Sequence, residues 1–159
     1  MLFRKVLFAT DFSDVSEGAR AYVLKLAQAG CREVIVVHVI DGKKTNVVLA
    51  EPSGFISPSG EYEQQLVSRL RTAAERSLDQ ERIAFEKAGL IVRTHILEGM
   101  PPREIIRIAD AEQVNLIVLG SHGKSNLLHS LLGSVTERIL HNAHQPVLVV
   151  RRGYIPDDD

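Results

Sequence analysis

A single doubly wound α/β domain is what this sequence predicts: a Rossmann-like, five-stranded parallel sheet with helices on both faces. Three observations carry the prediction. Five short runs rich in Val, Ile and Leu recur along the chain, and they are apolar throughout rather than alternating, as strands covered on both faces require. Segments with apolar residues every three to four positions separate them, the period of an amphipathic helix. A chain of 159 residues suits one such domain with a substantial core.

The elements follow in order. "KVLFAT" (5–10) is the first strand, and "SDVSEGARAYVLKLAQAG" after Asp11 is helical, with Val15, Ala19, Tyr22, Val23 and Leu26 on one side and Gly30 as its stop signal. "EVIVVHVI" (33–40) is the second strand. "DGKKTNVVLAEPSGFISPSG" (41–60) interrupts the rhythm, and its Gly, Pro and Ser content reads equally as a binding loop or as a disordered insertion. "YEQQLVSRLRTAAERSLDQERIAFEKAG" is one long helix, its apolar face expected at Tyr62, Leu66, Leu70, Ala73, Ala84 and Ala88 and its end at Gly89. "LIVRTHIL" (90–97) is a strand placed toward an edge by Arg93, Thr94 and His95. "PPREIIRIADAEQ" starts a helix on prolines, where a missing N–H costs least. "NLIVLGS" (115–121) is the fourth strand. "SVTERILHNA" is a helix whose Ser134 and Glu137 have the spacing of a capping box, and "PVLVVRR" (146–152) closes the sheet. The domain is expected over 1–152, with 153–159 an acidic, solvated tail.

Composition removes several function classes. Apolar residues make up 45% and charged residues 25%, and the net charge is −1, so no global field favours nucleic acid or an anionic membrane. Aromatics are 5% and Trp is absent, which argues against a base-stacking platform. The single Cys31 cannot form an intrachain disulfide and suits a reducing compartment; a small buried thiol is its ordinary role. The apolar run after Arg4 and Lys5 stops at Asp11, short of a signal-peptide core. No run approaches the roughly 20 apolar residues of a membrane helix. A soluble cytoplasmic domain is the expectation.

"GSHGKSNLLHSLLGSVTE" (120–137) holds the chemistry. Its Gly-Lys-Ser imitates a P-loop, but the leading glycine of G-x-x-x-x-G-K-[ST] falls on Val118. The dinucleotide fingerprint G-x-G-x-x-G fails as well. In open α/β sheets, ligands bind beyond the carboxyl ends of the strands where strand order reverses. Asp11 in "ATDFS" and the segment from Gly120 lie at two such ends, and they share a crevice if strands one and four are neighbours. Gly120 and Gly123 then admit backbone N–H groups to a ligand without Cβ obstruction. Gly133 and Ser134 open a helix whose N-terminus suits a phosphate, with hydroxyls at Ser134 and Thr136 and charge at Lys124. Singly, each has a plainer reading: a strand end, a turn glycine, an N-cap, a solvated lysine. The Glu137 carboxylate counts against phosphate at that helix start.

At these residues the chain resembles the ATP-binding branch of the universal stress protein family, marked by G-x2-G-x9-G-[ST]. Gly120, Gly123, Gly133 and Ser134 satisfy that pattern, with Lys124 to Leu132 between. "ATDFS", "HVID", "LLGSVTE" and "QPVLVVRR" resemble the family along nearly the whole chain. The resemblance implies an adenine nucleotide alpha hydrolase-like fold and a site assigned as follows. Ala9, Thr10 and Asp11 border adenine and ribose, and the Val39 backbone meets the adenine edge. Leu119 and Gly120 lie under the ribose. Ser121, His122, Gly123, Lys124, Ser125 and Asn126, with Gly133, Ser134, Val135 and Thr136, hold the phosphates. ATP with Mg2+ or Mn2+, and homodimerisation through 146–152, are also implied. Ala9 stands where proline is frequent in relatives.

No set of metal ligands and nucleophile-orienting groups for phosphoryl transfer stands out. His141 and His144 straddle a helix end, and neither H-x-G-H nor S-G-G-x-D-S occurs. The expected function is an ATP-binding stress-response regulator, a nucleotide-dependent homodimeric switch acting on an unidentified protein partner, with at most weak ATPase or autophosphorylation. Two alternatives stay open: an interaction module of the same fold that binds no nucleotide, and a small α/β enzyme acting on a phosphorylated metabolite. AMP is an alternative ligand.

Overall fold

The computed structural model describes residues 2–43, 60–123 and 131–153. Five strands, β1 (Lys5–Ala9), β2 (Glu33–Asp41), β3 (Ile91–Gly99), β4 (Leu116–Gly120) and β5 (Val147–Val150), form one sheet in the order β3-β2-β1-β4-β5. Every pairing is parallel. Among the described residues four full helices accompany them: α1 (Asp14–Gln28), α2 (Gly60–Lys87), α3 (Pro101–Ala111) and α4 (Ser134–Asn142). The strand order reverses between β1 and β4, so the adjacency on which the crevice depends is present, with Val6 opposite Leu116 and Phe8 opposite Val118.

The inner strands β1, β2 and β4 bury both faces because helices cover both. Val6, Phe8, Val34, Val36 and Val118 pack with Ala19 and Val23 of α1 and Leu78 and Phe85 of α2. Phe85 meets Phe8 edge-on, with ring centroids 5.8 Å apart. On the opposite face Leu7, Ile35, Val37 and Ile117 pack with Ile105 and Ile108 of α3 and Ile139 of α4. At roughly 1.5–3 kcal/mol per fully buried side chain of this kind, these two layers supply the main drive to fold. Cys31 is a buried free thiol in the first layer, and burial raises its pKa, so it is an inert packing residue.

Chain punctuation matches the sequence in two places. Gly30 and Gly89 end α1 and α2 with φ of +103° and +83°, values that favour glycine. Pro101 and Pro102 occupy the first turn of α3. β3 is an edge strand, as Arg93, Thr94 and His95 imply. Their charge is used: Lys5 and Arg93 bridge Glu33 and Glu112, with Lys5 Nζ 2.7 Å from Glu112 Oε2 and Arg93 Nε 3.2 Å from Glu33 Oε1.

The buried face of α2 differs from the expected one. Ala74, Leu78 and Phe85 face the core, whereas Tyr62 and Leu70 are 60% and 41% exposed and Ala73 and Ala88 are also exposed. The buried positions lie in the carboxyl-terminal half of the helix, whereas Leu66 and Ala84 are half-buried. Of the interrupting segment, Asp41 ends β2 and residues 44–59 lie outside the described residues.

Candidate functional site

The crevice is built from the carboxyl ends of β1 and β4 and the starts of α1 and α4. Past Ala9, Thr10 keeps one main-chain bond to the sheet, donating from N–H to Val37 O at 3.0 Å. The chain then turns sharply. Phe12 has φ +61°, a left-handed conformation rare for a bulky residue. Its N–H donates to Thr10 Oγ1 at 3.0 Å, which helps hold the turn.

This turn presents Asp11 in a fixed orientation. Asp11 Oδ1 accepts from Ser13 N at 3.1 Å and from Ser16 Oγ at 2.8 Å. Ser13 in turn caps α1, its Oγ accepting from Ser16 N at 3.4 Å. The carboxylate is therefore held by the start of α1, whose positive dipole end favours it. "ATDFSDVS" carries a readable signal for this arrangement: an Asp with serines two and five residues on is an Asx turn running into an N-cap. Sequence reasoning singled out Asp11 but missed Ser13 and Ser16.

The glycines close the other wall, and each stands where a Cβ would meet a close neighbour. A Cβ on Gly120 would stand 2.7 Å from Val15 Cγ1 and 3.2 Å from the Val15 carbonyl. One on Gly123 would stand 2.7 Å from Asp11 Oδ2. One on Gly133 would stand 3.3 Å from both His122 Cα and Ser121 O. The missing Cβ atoms let β4, the Gly123 loop and the start of α4 approach Val15, Asp11 and one another closely.

Ser121 joins these parts. It is 2% exposed; its N–H donates to Val150 O at 2.7 Å, and its carbonyl accepts from Gly133 N at 2.7 Å. Its hydroxyl lies 3.0 Å from His122 Nδ1. Thr136 is buried and donates from Oγ1 to Gly120 O at 2.9 Å. That hydroxyl ties strand to helix, leaving the Thr136 main chain for any phosphate contact.

The capping box is not formed. Gly133 is the N-cap of α4, with no side-chain hydrogen bond, and Ser134 is the first helical residue. An N-cap must have non-helical backbone for its oxygen to reach forward, so a serine one position inside cannot do so. Glu137 donates its N–H to Gly133 O at 2.9 Å in the ordinary helical manner, and its side chain is exposed. Among the described residues, no side chain caps the main-chain N–H groups at the start of α4, which stand beside an exposed Ser134.

The structure brings most of the anticipated residues together. Ala9, Thr10 and Asp11 lie at the end of β1, and Leu119, Gly120, Ser121, His122 and Gly123 at and beyond the end of β4. Gly133, Ser134, Val135 and Thr136 open α4, while Val39 lies on β2 beside the turn. Leu119 is 4% exposed and packs in the α3–α4 layer. Lys124, Ser125 and Asn126 lie outside the described residues. Among the described residues, no three His, Cys, Asp or Glu side chains converge on a metal position. No described helix is long and apolar enough to cross a membrane.

Comparison with known proteins agrees with this fold. The profile of the universal stress protein family matches residues 2–151. Universal stress protein MJ0577 of Methanocaldococcus jannaschii is 37% identical over 157 residues, covering 96% of this chain and 97% of that one. Universal stress protein YxiE of Bacillus subtilis is 29% identical, covering 94% and 100%. The solved structure of MJ0577 superposes with a TM-score of 0.84 at 36% identity, covering 97% of this chain and 99% of that one.

Proposed function

Since the chain belongs to the universal stress protein family, we propose that it is an ATP-binding regulator of that family, a homodimeric switch whose output follows nucleotide occupancy. One observation carries the reading: the start of α4, with no side-chain cap among the described residues, stands beside the Ser121–Gly123 loop and the oriented Asp11 carboxylate, at the point where strand order reverses. Helix N–H groups and dipole accept an anionic phosphate there, and a fixed carboxylate beside it accepts hydroxyl protons such as those of a ribose. Solved universal stress proteins in complex with cAMP and, from Archaeoglobus fulgidus, with dAMP share this fold, with TM-scores of 0.61 and 0.60. They support an adenine nucleotide as the ligand class.

In this reading Ala9, Thr10 and the Val39 main chain border the base, and Asp11 takes the ribose. Leu119 and Gly120 form the floor. Residues 121–126 and the main chain of Gly133 to Thr136 hold the phosphates. Mg2+ or Mn2+ arrives with the triphosphate and offsets its charge. Asp11 is fixed by three hydrogen bonds to two groups of its own turn, Ser13 N–H and the Ser16 hydroxyl, which suits it to binding rather than to proton transfer, so hydrolysis or autophosphorylation is at most slow. The dimer forms across the open side of β5, whose Val147, Leu148 and Val149 are half-buried.

Mass spectrometry of purified, denatured protein tests the reading, with calorimetry of added ATP. Copurified ATP or a saturable ATP heat is expected. An empty protein indifferent to ATP would instead indicate an interaction module, and rapid turnover abolished by Asp11→Ala would indicate an enzyme.

A further inference from the structure

The β1–β2 ladder stops in an unusual way beside the proposed base site. Its last register pair is Ala9 with Val37, and the Thr10 N–H still donates to Val37 O. In a parallel pair the next bond would run from Val39 N–H to Thr10 O, because alternate residues of a strand turn their peptide groups to the same neighbour. That bond is not made among the described residues. Thr10 O lies 2.9 Å from His38 Nδ1 instead. A carbonyl only accepts, so His38 carries its hydrogen on Nδ1 and donates it.

The ring is held for this task. The His38 and Phe12 rings are in tilted contact, centroids 4.7 Å apart, and Phe12 is the residue in the left-handed conformation. Thr10 is thus gripped from three directions: N–H by Val37, carbonyl by His38 and hydroxyl by Phe12 N–H.

We propose that His38 is a positioning residue for nucleobase recognition: by occupying Thr10 O it ends the ladder one bond early and leaves the Val39 peptide N–H available to an acceptor on the base edge. The inference rests on the nucleotide-binding reading, and its ligand is a purine whose hydrogen-bonding edge faces Val39. The histidine makes no contact with the nucleotide. It acts through Thr10, and the group it releases is main chain.

Three measurements test it on the intact protein. Nitrogen-15 NMR of the nucleotide-free wild type is expected to show His38 protonated at Nδ1, and the Val39 amide to exchange faster than those of Val36 and Val37. His38→Phe keeps a ring against Phe12 but removes the donor; it should protect the Val39 amide and weaken ATP binding about tenfold, the scale of one hydrogen bond, with inorganic triphosphate binding unchanged. His38→Asn, whose amide nitrogen reaches the Nδ1 position, should restore ATP binding to within about threefold of wild type. An Nε2-protonated His38, a slowly exchanging Val39 amide in the wild type, or equal losses of ATP and triphosphate binding in His38→Phe would each overturn the assignment. If the wild type binds no ATP, the nucleotide reading fails on its own, while the tautomer and the two exchange measurements still decide what His38 does to the ladder.

Discussion

The Asp11 carboxylate occupies the space that any side chain on Gly123 would need: a Cβ there would lie 2.7 Å from Asp11 Oδ2. Because Asp11 is tied to Ser13 and Ser16 through its other oxygen, it cannot swing aside without giving up those bonds. Gly123→Ala is therefore expected to lower ATP affinity by about tenfold or more while costing only about 1 kcal/mol of stability. Calorimetric titration beside a denaturant melt separates the two effects. A variant that binds normally would show that the carboxylate's position is immaterial.

Gly120 meets an equally close neighbour, but a stiffer one. Its added methyl would stand 2.7 Å from Val15 Cγ1 and 3.2 Å from main-chain atoms of the same residue. Gly120→Ala should destabilise by about 1–3 kcal/mol, the usual range for overpacking. Part of that loss should return in the Val15→Ala background. Urea midpoints of the two single variants and the double variant give the coupling, and strict additivity would rule out the contact as the cause.

Acid should weaken the amino-terminal end of the sheet first. The hydrogen bond from Lys5 holds the Glu112 carboxyl below its ordinary value, with the Lys5 and Arg93 charges adding to it. A carboxyl depressed on folding contributes stability that is fully present above its unfolded value and disappears as pH falls through its folded value. Melting temperature should therefore drop as the pH is lowered past the ordinary glutamate range, and Glu112→Gln should flatten that limb while lowering the plateau. Parallel curves for the two proteins would mean that the bridge carries no linkage.

The edge of β5, unpaired among the described strands, allows a clean test of assembly. Ile117 N–H donates to Pro146 O and Ser121 N–H to Val150 O, so alternation turns the peptide groups of Val147 and Val149 outward. Val149→Pro removes one outward N–H and no bond to β4. Light scattering after gel filtration should show a dimer for the wild type and a monomer for this variant, with far-ultraviolet dichroism retained. Persistence of the dimer would place the contact elsewhere.

Two leucines on α2 distinguish its true buried face. Leu78 is 3% exposed and Leu70 41%. Leu78→Ala should cost about 2–5 kcal/mol, whereas Leu70→Ala should stay within about 0.5–1 kcal/mol. Comparable losses would mean that α2 is seated by another face.

Legibility in the sequence tracked how local each cause was. Strands such as Val34–Val37 were readable because burial on both faces leaves an uninterrupted apolar run, and β3 betrayed its edge position through Arg93 and His95. The face of α2 was misread since periodicity over 28 residues does not reveal which half touches the sheet. The Ser134–Glu137 pair has the capping-box spacing, yet a spacing cannot say whether the serine lies outside the helix or just within it. The glycine positions of the site were legible as a pattern, but their physical cause was not. It depends on Val15, Asp11 and His122, and Val15 and Asp11 reach the glycines only through the β1–β4 adjacency. His38 was hidden for a similar reason: in a run of valines it reads as a tolerated polar residue until Thr10 is placed beside it.

Ser121 spends its two peptide groups on different elements, one on the last residue of β5 and one on the cap of α4. It behaves as a hinge pin fixed to both leaves. The end of the edge strand and the mouth of the crevice share that pin, so neither can be displaced by even a bond length without loading the other. A shift of β5 along its own axis would strain the two 2.7 Å bonds that tie it, through Ser121, to the first turn of α4.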